Sequence, residues 1–421
     1  MSGGSIANRV EFLDSIKINY AGNSEVDVTD AYTSINLTED LFKNSLTCTL
    51  NIGDSSGSLD PVDFDGTETF KLAFKSLLEN DREISVIFRI YKVDVTIDPQ
   101  KSDIKMYQLL AVTPEHYKQS TMDINQSFKM PIDEAVKNVF DKLGSSRNID
   151  IDKTTGTYTY IVPGMTPYES MDFFQRRAYD SSFRSSMFTF YETVDGFNFK
   201  NIEKLIYDNR DDPITYKFTP IANSSETEDD PMHVIEEMSL SANKDIMQKI
   251  KSGAYANAVQ EIDLMNQKVN SSKVQIKEDF STFKHLDKVA MSLDSKAIID
   301  EHLNTINSTQ WINKVGNISD KRSELIPRRK FYSDCLSQVQ MDLVVPGNSN
   351  LSVGKVVEID LLELSGKTEE RQQEPKISGK YIITRLSHTL GRGSYTCNLV
   401  CNKESYKANS DDIKKNLVVK Q

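Results

Sequence analysis

Residues 161–206 read IVPGMTPYESMDFFQRRAYDSSFRSSMFTFYETVDGFNFKNIEKLI, and a strand end, a capped helix and a β-hairpin follow one another along them. Thr166 offers an N-cap hydroxyl, and Pro167 suits the first helical position, where its missing N–H costs nothing. Glu169, three residues after Thr166, completes a capping box. Tyr168, Met171, Phe174 and Ala178 recur at helical spacing and predict one buried face. Phe188 and Phe190, with Tyr191 out of phase, and then Phe197 and Phe199 flank an Asp195-Gly196 turn, which is a hairpin signal. Helix plus aromatic hairpin is a packing unit: the stretch carries no nucleophile–base pair and no metal-ligand spacing.

Working outward toward the N-terminus, residues 12–112 alternate with period two. The runs are Ile16/Ile18, Ile35/Leu37, Cys48/Leu50/Ile52, Phe70/Leu72/Phe74, Ile84/Val86/Phe88/Ile90 and Tyr107/Leu109/Ala111, and turn clusters such as Gly53 to Gly57 separate them. Many short strands punctuated in this way predict an antiparallel barrel or sandwich. From Asp133 the period switches: Ile132, Val136, Val139, Phe140 and Leu143 share one helical face, and Gly144 stops the helix. Beyond the hairpin, a strand is expected near Ile214 to Phe218, followed by an acidic loop from Glu226 to Asp230. Residues 245–321 are polar, with a helical patch at Ile246, Ile250 and Ala254. Strands are expected again from Asp334 to Cys401, with inward faces at Leu351/Val353, Val357/Ile359 and Tyr395/Cys397/Leu399/Cys401, and turns at Val344-Val345-Pro346-Gly347-Asn348 and Gly391-Arg392-Gly393. Residues 402–421 read as a surface tail.

A chain of 421 residues exceeds one core and suggests two to four domains. No apolar run approaches the ~18 residues of a membrane span, which predicts no membrane insertion. The start MSGGSIANRVEF lacks the basic-then-apolar order of a signal peptide, so assembly in the cytoplasm is expected. In that compartment Cys48, Cys335, Cys397 and Cys401 read as buried small hydrophobes. Cys397 and Cys401 share one strand face about 13 Å apart at ~3.3 Å per residue, too far to pair. The net charge of −12 argues against a protein that grips nucleic acid by neutralising phosphates. It suits either a plain acidic protein or a channel that DNA crosses without being held.

The chain lacks the motifs of catalysis. His116, His233, His285, His302 and His388 form no HExxH, no i,i+4 pair and no zinc spacing with cysteine. The GxSxG match at Gly53-Asp54-Ser55-Ser56-Gly57 falls in a turn cluster between strands and is no strand-to-helix elbow, there is no P-loop, and Gly391-Arg392-Gly393 lacks the third glycine of a dinucleotide site. A two-carboxylate glycosidase stays open, because 62 acidic residues guarantee chance pairs. His388 reads as a rim or interface residue rather than a base. Pro327-Arg328-Arg329-Lys330 reads as a solvated loop before a strand, with a nucleic-acid or acidic-subunit contact as the alternative. The N-x-S/T triplets at Asn36, Asn270 and Asn307 are chance occurrences in a chain that is not secreted. The expectation is no catalytic, no cofactor-binding and no metal residues, hence no cofactor and no enzyme.

Five pieces of the chain, in order, resemble one family. TPYES, RRA, FTFYETVDGFNF and NIEKLI within residues 166–206 are similar to the central region of the baseplate hub proteins of T-even-type contractile-tailed phages. SINLTEDLFKNSLTCTLNIGDSSGSLDPVDFDGTETFKLAF (34–74) and MYQLLAVTPEHY (106–117) resemble that family's first barrel. DIMQKIKSGAYANAVQEIDLMNQKV (245–269) resembles its middle crossover, and VVPGNSNLSVGKVVEIDL (344–361) with ISGKYIITRLSHTLGRGSYTCNLVC (377–401) its second barrel. The resemblance spans Val10 to Asn402.

What the resemblance implies is an α+β, mostly β chain with two antiparallel tube-type barrels, a mixed α/β middle domain and a short C-terminal tail. The expected boundaries are 1–115 for the first barrel, 116–211 plus 241–325 for the middle domain, 212–240 plus 326–402 for the second barrel, and 403–421 for the tail. The implied role is structural: a homotrimeric ring in the virion's tail baseplate, assembled in host cytoplasm, that joins a hexameric tail tube to a trimeric spike and lets DNA pass without tight binding. Its partners would be the central spike protein, the tail tube protein or a tube-initiator ring, and baseplate wedge proteins. The alternatives are a spike-associated cell-wall hydrolase, the hub of a bacteriocin or secretion device related to type VI secretion spikes and, third, a DNA-binding module that the charge disfavours. The chain shows no lysozyme-like or OB-fold insertion and no β-helix repeat, which weakens the secretion alternative.

Overall fold

The computed structural model describes residues 10–22, 24–76, 82–97, 104–218, 231–242, 247, 256–264, 266–275, 282–290, 308–313, 322–361 and 377–407. A first block holds β1 (Val10–Leu13), β2 (Lys17–Tyr20), β3 (Ser24–Asp27), β4 (Tyr32–Asp40), β5 (Thr47–Asp54), β6 (Thr69–Ser76), β7 (Ile84–Ile97) and β8 (Lys105–Val112). A mixed region follows: α1 (Pro114–Gln119), β9 (Ile124–Met130), α2 (Ile132–Leu143), β10 (Ile149–Ile151), β11 (Tyr158–Met165), α3 (Pro167–Gln175), β12 (Phe188–Thr193), β13 (Gly196–Asn201) and α4 (Ile202–Asn209). Then come β14 (Ile214–Phe218), β15 (Glu237–Ala242), β16 (Ala256–Asp263), β17 (Lys268–Gln275), β18 (Val289–Ala290), β19 (Ser308–Asn313), α5 (Arg322–Leu336), β20 (Val339–Pro346), β21 (Val356–Leu361), β22 (Gly379–Gly391), β23 (Ser394–Lys403) and β24 (Ser405–Tyr406).

The expected fold class holds: α+β, mostly β, with antiparallel sheet at its centre. The period-two residues of the first block, from Ile16 and Ile18 to Tyr107, Leu109 and Ala111, are all buried, as are the inward residues expected from Leu351 to Cys401. Both blocks use one connectivity. In chain order their strands lie 1-2-5-4-3 across the sheet: β4-β5-β8-β7-β6 in the first and β15-β20-β23-β22-β21 in the second, every neighbour antiparallel. β14 adds to β21 in parallel, from Ile214↔Val357 to Phe218↔Leu361.

The two blocks are joined in one sheet. β4 pairs antiparallel with β22, from Ser34↔Gly391 to Asp40↔Arg385, and fuses the blocks into one 14-stranded sheet. Its two inward faces form a single contiguous core.

The mixed region forms a second core. Ile132, Val136, Val139, Phe140 and Leu143 of α2 are buried, and Gly144 ends the helix in the left-handed conformation at φ 61°. The capping box of α3 is formed in both directions between Thr166 and Glu169. Its buried face is the expected one, although the helix ends at Gln175 and Ala178 lies in the turn beyond. In the hairpin, Thr193 pairs with Gly196, so the two-residue turn is Val194-Asp195. Gly196 has φ 143°, and a Cβ there would stand 2.6 Å from the Asn148 carbonyl oxygen, which holds the turn against β10. Phe188, Phe190, Phe197 and Phe199 join α2 and α3 in this core. Tyr191 points the other way, into the core of the large sheet, so β12 is buried on both faces and ties the two cores together.

Two further expectations are corrected. The polar region holds a three-stranded sheet, β17-β16-β19, where only helical patches were read. Pro327-Arg328-Arg329-Lys330 is no solvated loop: it lies within α5, and Arg328 is buried. The patch at Ile246, Ile250 and Ala254, the acidic loop at Glu226 to Asp230, His302, Asn307 and the tail beyond residue 407 lie outside the described residues.

Candidate functional surface: the polar face of the shared sheet

Eight strands, in the order β15-β20-β23-β22-β4-β5-β8-β7, present one face to the core. The side chains between the core positions form the opposite face, and these are mainly small neutral polar groups. One row crosses the fused blocks as Thr47, Thr38, Ser387, Asn398 and Val344 to Glu237. A second runs Lys92, Leu110, Thr49, Asn36, Thr389 and Thr396.

Hydrogen bonds lace these groups together across strands. Thr38 Oγ1 and Ser387 Oγ lie 2.9 Å apart across the seam. Asn51 donates to Ser34 Oγ at 2.9 Å, Gln108 to Asn51 Oδ1 at 3.2 Å, and Asn398 to Thr389 Oγ1 at 3.3 Å. The cations on this face are engaged locally: Lys92 Nζ lies 2.7 Å from Asp94, Arg385 donates from Nε and Nη2 to Asp40 Oδ2 at 2.9 Å each, and Arg89 lies over the Tyr117 ring and donates to Gly66 O at 2.6 Å. Asp342 and Glu237 add negative charge. Such a face offers phosphate groups no cationic rail; its hydroxyls and amides satisfy one another and water.

Buried carboxylates anchor this sheet to the hairpin. Glu39 follows Ile35 and Leu37 in phase on β4, so strand alternation carries it into the core. There it accepts hydrogen bonds from Val194 N (2.8 Å), Val353 N (3.0 Å) and Ser352 Oγ (3.0 Å), joining first block, hairpin turn and second block through one side chain. Burial raises its pKa against those hydrogen bonds. Glu192, in phase with Phe188 and Phe190, accepts from Leu46 N and Thr113 Oγ1 at 2.9 Å each and pairs with Arg147. Burial pushes its pKa up to about 7 against the pull of Arg147. Arg82, at the start of β7's approach, donates to Ser349 O (2.7 Å) and Leu351 O (3.2 Å) of the second block and pairs with Asp195 of the hairpin turn. Arg329 of α5 caps the end of α3 through Gln175 O and reaches Phe188 O at 3.4 Å. The basic run is therefore an internal brace.

The histidines are scattered. His388 is no rim residue: it is fully buried, with Nδ1 2.9 Å from Tyr395 Oη and 3.4 Å from Cys397 Sγ. Burial lowers its pKa to about 3, which leaves it neutral. His285 lies 3.5 Å from Glu404, His116 packs tilted against Tyr168, and His233 meets Tyr216 edge-on. The four cysteines are buried thiols. Among the described residues no three His, Cys, Asp or Glu gather as a metal site, and no helix is long and apolar enough to cross a membrane.

No family model and no curated protein matches the sequence. Solved structures do match over nearly the whole chain. A tail protein from Neisseria meningitidis MC58 has a TM-score of 0.54 at 10% identity, covering 93% of this chain and 96% of that one. The 43 kDa tail protein of prophage MuSo2 from Shewanella oneidensis has a TM-score of 0.55 at 7% identity, covering 93% of this chain and 98% of that one. The fold is similar to that of phage tail proteins. Identity this low carries the backbone arrangement and nothing finer. Sequence reasoning missed Glu39 and Glu192, though their in-phase position among apolar neighbours was a usable signal.

Proposed function

We propose that the chain is a structural ring subunit of a contractile-tail baseplate: a homotrimeric hub that joins the hexameric tail tube to a trimeric spike, with DNA passing through its centre. The domain division goes with it: 1–115 and 212–240 plus 326–402 as the two tube-like units, 116–211 plus 241–325 as the middle domain, and 403–421 as the tail. The observation that carries the reading is the eight-strand sheet whose outer face is polar, mildly acidic and laced by its own hydrogen bonds. Two units of one connectivity per chain give six in a trimer, a near-sixfold face for a tube and a threefold face for a spike. A polar face with a surplus of carboxylates suits a wall along which DNA slides, because it supplies no counterion-releasing contacts. The role is mechanical rather than catalytic. The partners are the spike protein, the tail tube protein or its initiator ring, and the wedge proteins, and the setting is the virion.

Electron microscopy of the purified chain tests this. Rings with a central opening are expected, together with no retention of duplex DNA at physiological salt. Compact monomers, or tight DNA binding with a steep salt slope, overturn it.

A further inference from the structure

The seam inside the chain has an unfilled counterpart at the ends of the sheet. In the second block, β21 pairs with the first half of β22 (Gly379 to Ile382) and β4 with its second half (Arg385 to Gly391), on either side of an irregularity between Ile383 and Arg385. In the first block, β6 pairs with the first half of β7 (Ile84 to Arg89), and the equivalent irregularity lies between Ile90 and Lys92. Among the described residues, the second half of β7 has a strand on its β8 side alone. The opposite end of the eight-strand run is β15, which corresponds to β4 and among the described residues is paired on its β20 side alone. Half-exposed apolar side chains mark both edges: Val95 (49%), Ile97 (58%) and Leu240 (38%).

We infer that β7 of one copy pairs antiparallel with β15 of the next, repeating the β22–β4 seam between molecules. The inference rests on the ring reading above and adds its contact. The common register of the two blocks dictates the pairs. Ile90 and Ile383 oppose Ala111 and Cys401, which in turn oppose Cys48 and Met341, and these oppose Leu37 and Leu240. His388↔Leu37 in the internal seam therefore translates to Val95↔Leu240 between copies, and Leu390↔Ile35 to Ile97↔Met238.

The remaining pairs are Val93↔Ala242, Asp94↔Ser241 and Thr96↔Ser239. Core-side positions thus meet apolar to apolar, and outer-face positions meet hydroxyl to hydroxyl or carboxylate to hydroxyl. A slip of one residue sets Asp94 against Leu240 and Val95 against a serine, so this register is specified. Because the two edges differ, the contact is head-to-tail, and a rotation of one third of a turn per copy closes it into the three-membered ring proposed above. It covers free strand edges that otherwise template aggregation.

Thiol cross-linking on the full chain tests the pairing. The four native cysteines are buried, which keeps the background low. With a short bismaleimide, a mixture of Val95→Cys and Leu240→Cys chains is expected to give covalent dimers, while each variant alone gives none. The double variant is expected to give a ladder that ends at the closed ring. Cross-linking within Val95→Cys alone, by pairing like edges, overturns the inference. A wild-type trimer by light scattering with no Val95–Leu240 product overturns this contact and leaves the ring reading standing. A wild-type monomer at high concentration overturns both. Val95→Lys is expected to abolish the ring mass while keeping the monomer's melting curve, and a trimer in that variant also counts against the contact.

Discussion

The two sheet blocks share a strand order and differ in what covers their edges. The second block's fourth strand, β22, is paired along its whole length, by β21 and then by β4, while among the described residues the corresponding β7 is covered only as far as Arg89. The first block joins β4 to β5 through the short segment between Asp40 and Thr47, whereas the second places residues 243–338 between β15 and β20. That insertion carries α5, whose Arg329 braces the hairpin from behind. A repeated unit thus becomes two unlike halves, one closed internally and one with an open edge among the described residues. The difference teaches that one connectivity can be closed within the chain in one half and left open in the other.

The comparison breaks most severely at the element that serves both halves. Phe190 stacks on Phe197 at 5.9 Å and meets Tyr168 at 5.5 Å, fully buried. Phe190→Asp places an unpaired carboxylate there, a cost of several kcal/mol on the order of a domain's whole stability. Loss of the cooperative thermal transition is expected, and a normal melt makes the hairpin dispensable to both blocks.

Next in size is Arg147→Ala, which strips the partner from Glu192 and is expected to cost about 3–5 kcal/mol at pH 8. The cost should shrink near pH 5, where Glu192 takes up a proton. Denaturant titration at both values checks it, and equal losses at the two pH values refute the assignment.

The wild type should show a related, gentler trend. Glu192 and Glu203 both sit with pKa raised to about 7 by burial, above the ordinary carboxylate value. A raised folded-state pKa gives stability that is full below the unfolded value and is lost as pH climbs through about 7. Melting temperature is therefore expected to rise as pH falls from 8 to 5, and Glu192→Gln should flatten that slope. An unchanged slope in the variant assigns the effect elsewhere.

The smallest effect compares equivalent positions directly. Arg385, half exposed at the internal seam, pairs with Asp40, and its removal should cost about 1 kcal/mol or less. Lys92, its counterpart at the open edge, should cost the isolated chain nothing measurable on mutation to alanine. A larger loss at Lys92 than at Arg385 would place the seam in the wrong half.

Local signals made much of this fold legible. The capping box at Thr166–Glu169, the helix stop at Gly144 and the period-two burial from Ile35 to Ala111 are set by neighbours in sequence, and each is realised. Three things were not legible, for separate reasons. The β4–β22 pairing joins strands at opposite ends of the chain, and no local pattern encodes such a register. Arg328 and Arg329 read as solvated because the carbonyls that receive Arg329, at Gln175, Ser186 and Phe188, come from another region. β16 hides its period because it begins buried on both faces, in a region that also packs against α5. On the candidate surface the alternation was legible, whereas the matching of its rows across the seam required the three-dimensional register.

Mass in solution bears most directly on the central claim, that the chain's unlike free edges close on one another in a ring. Light scattering of the purified wild type is predicted to give three times the 47.7 kDa chain mass. A stable monomer, dimer or tetramer would contradict it.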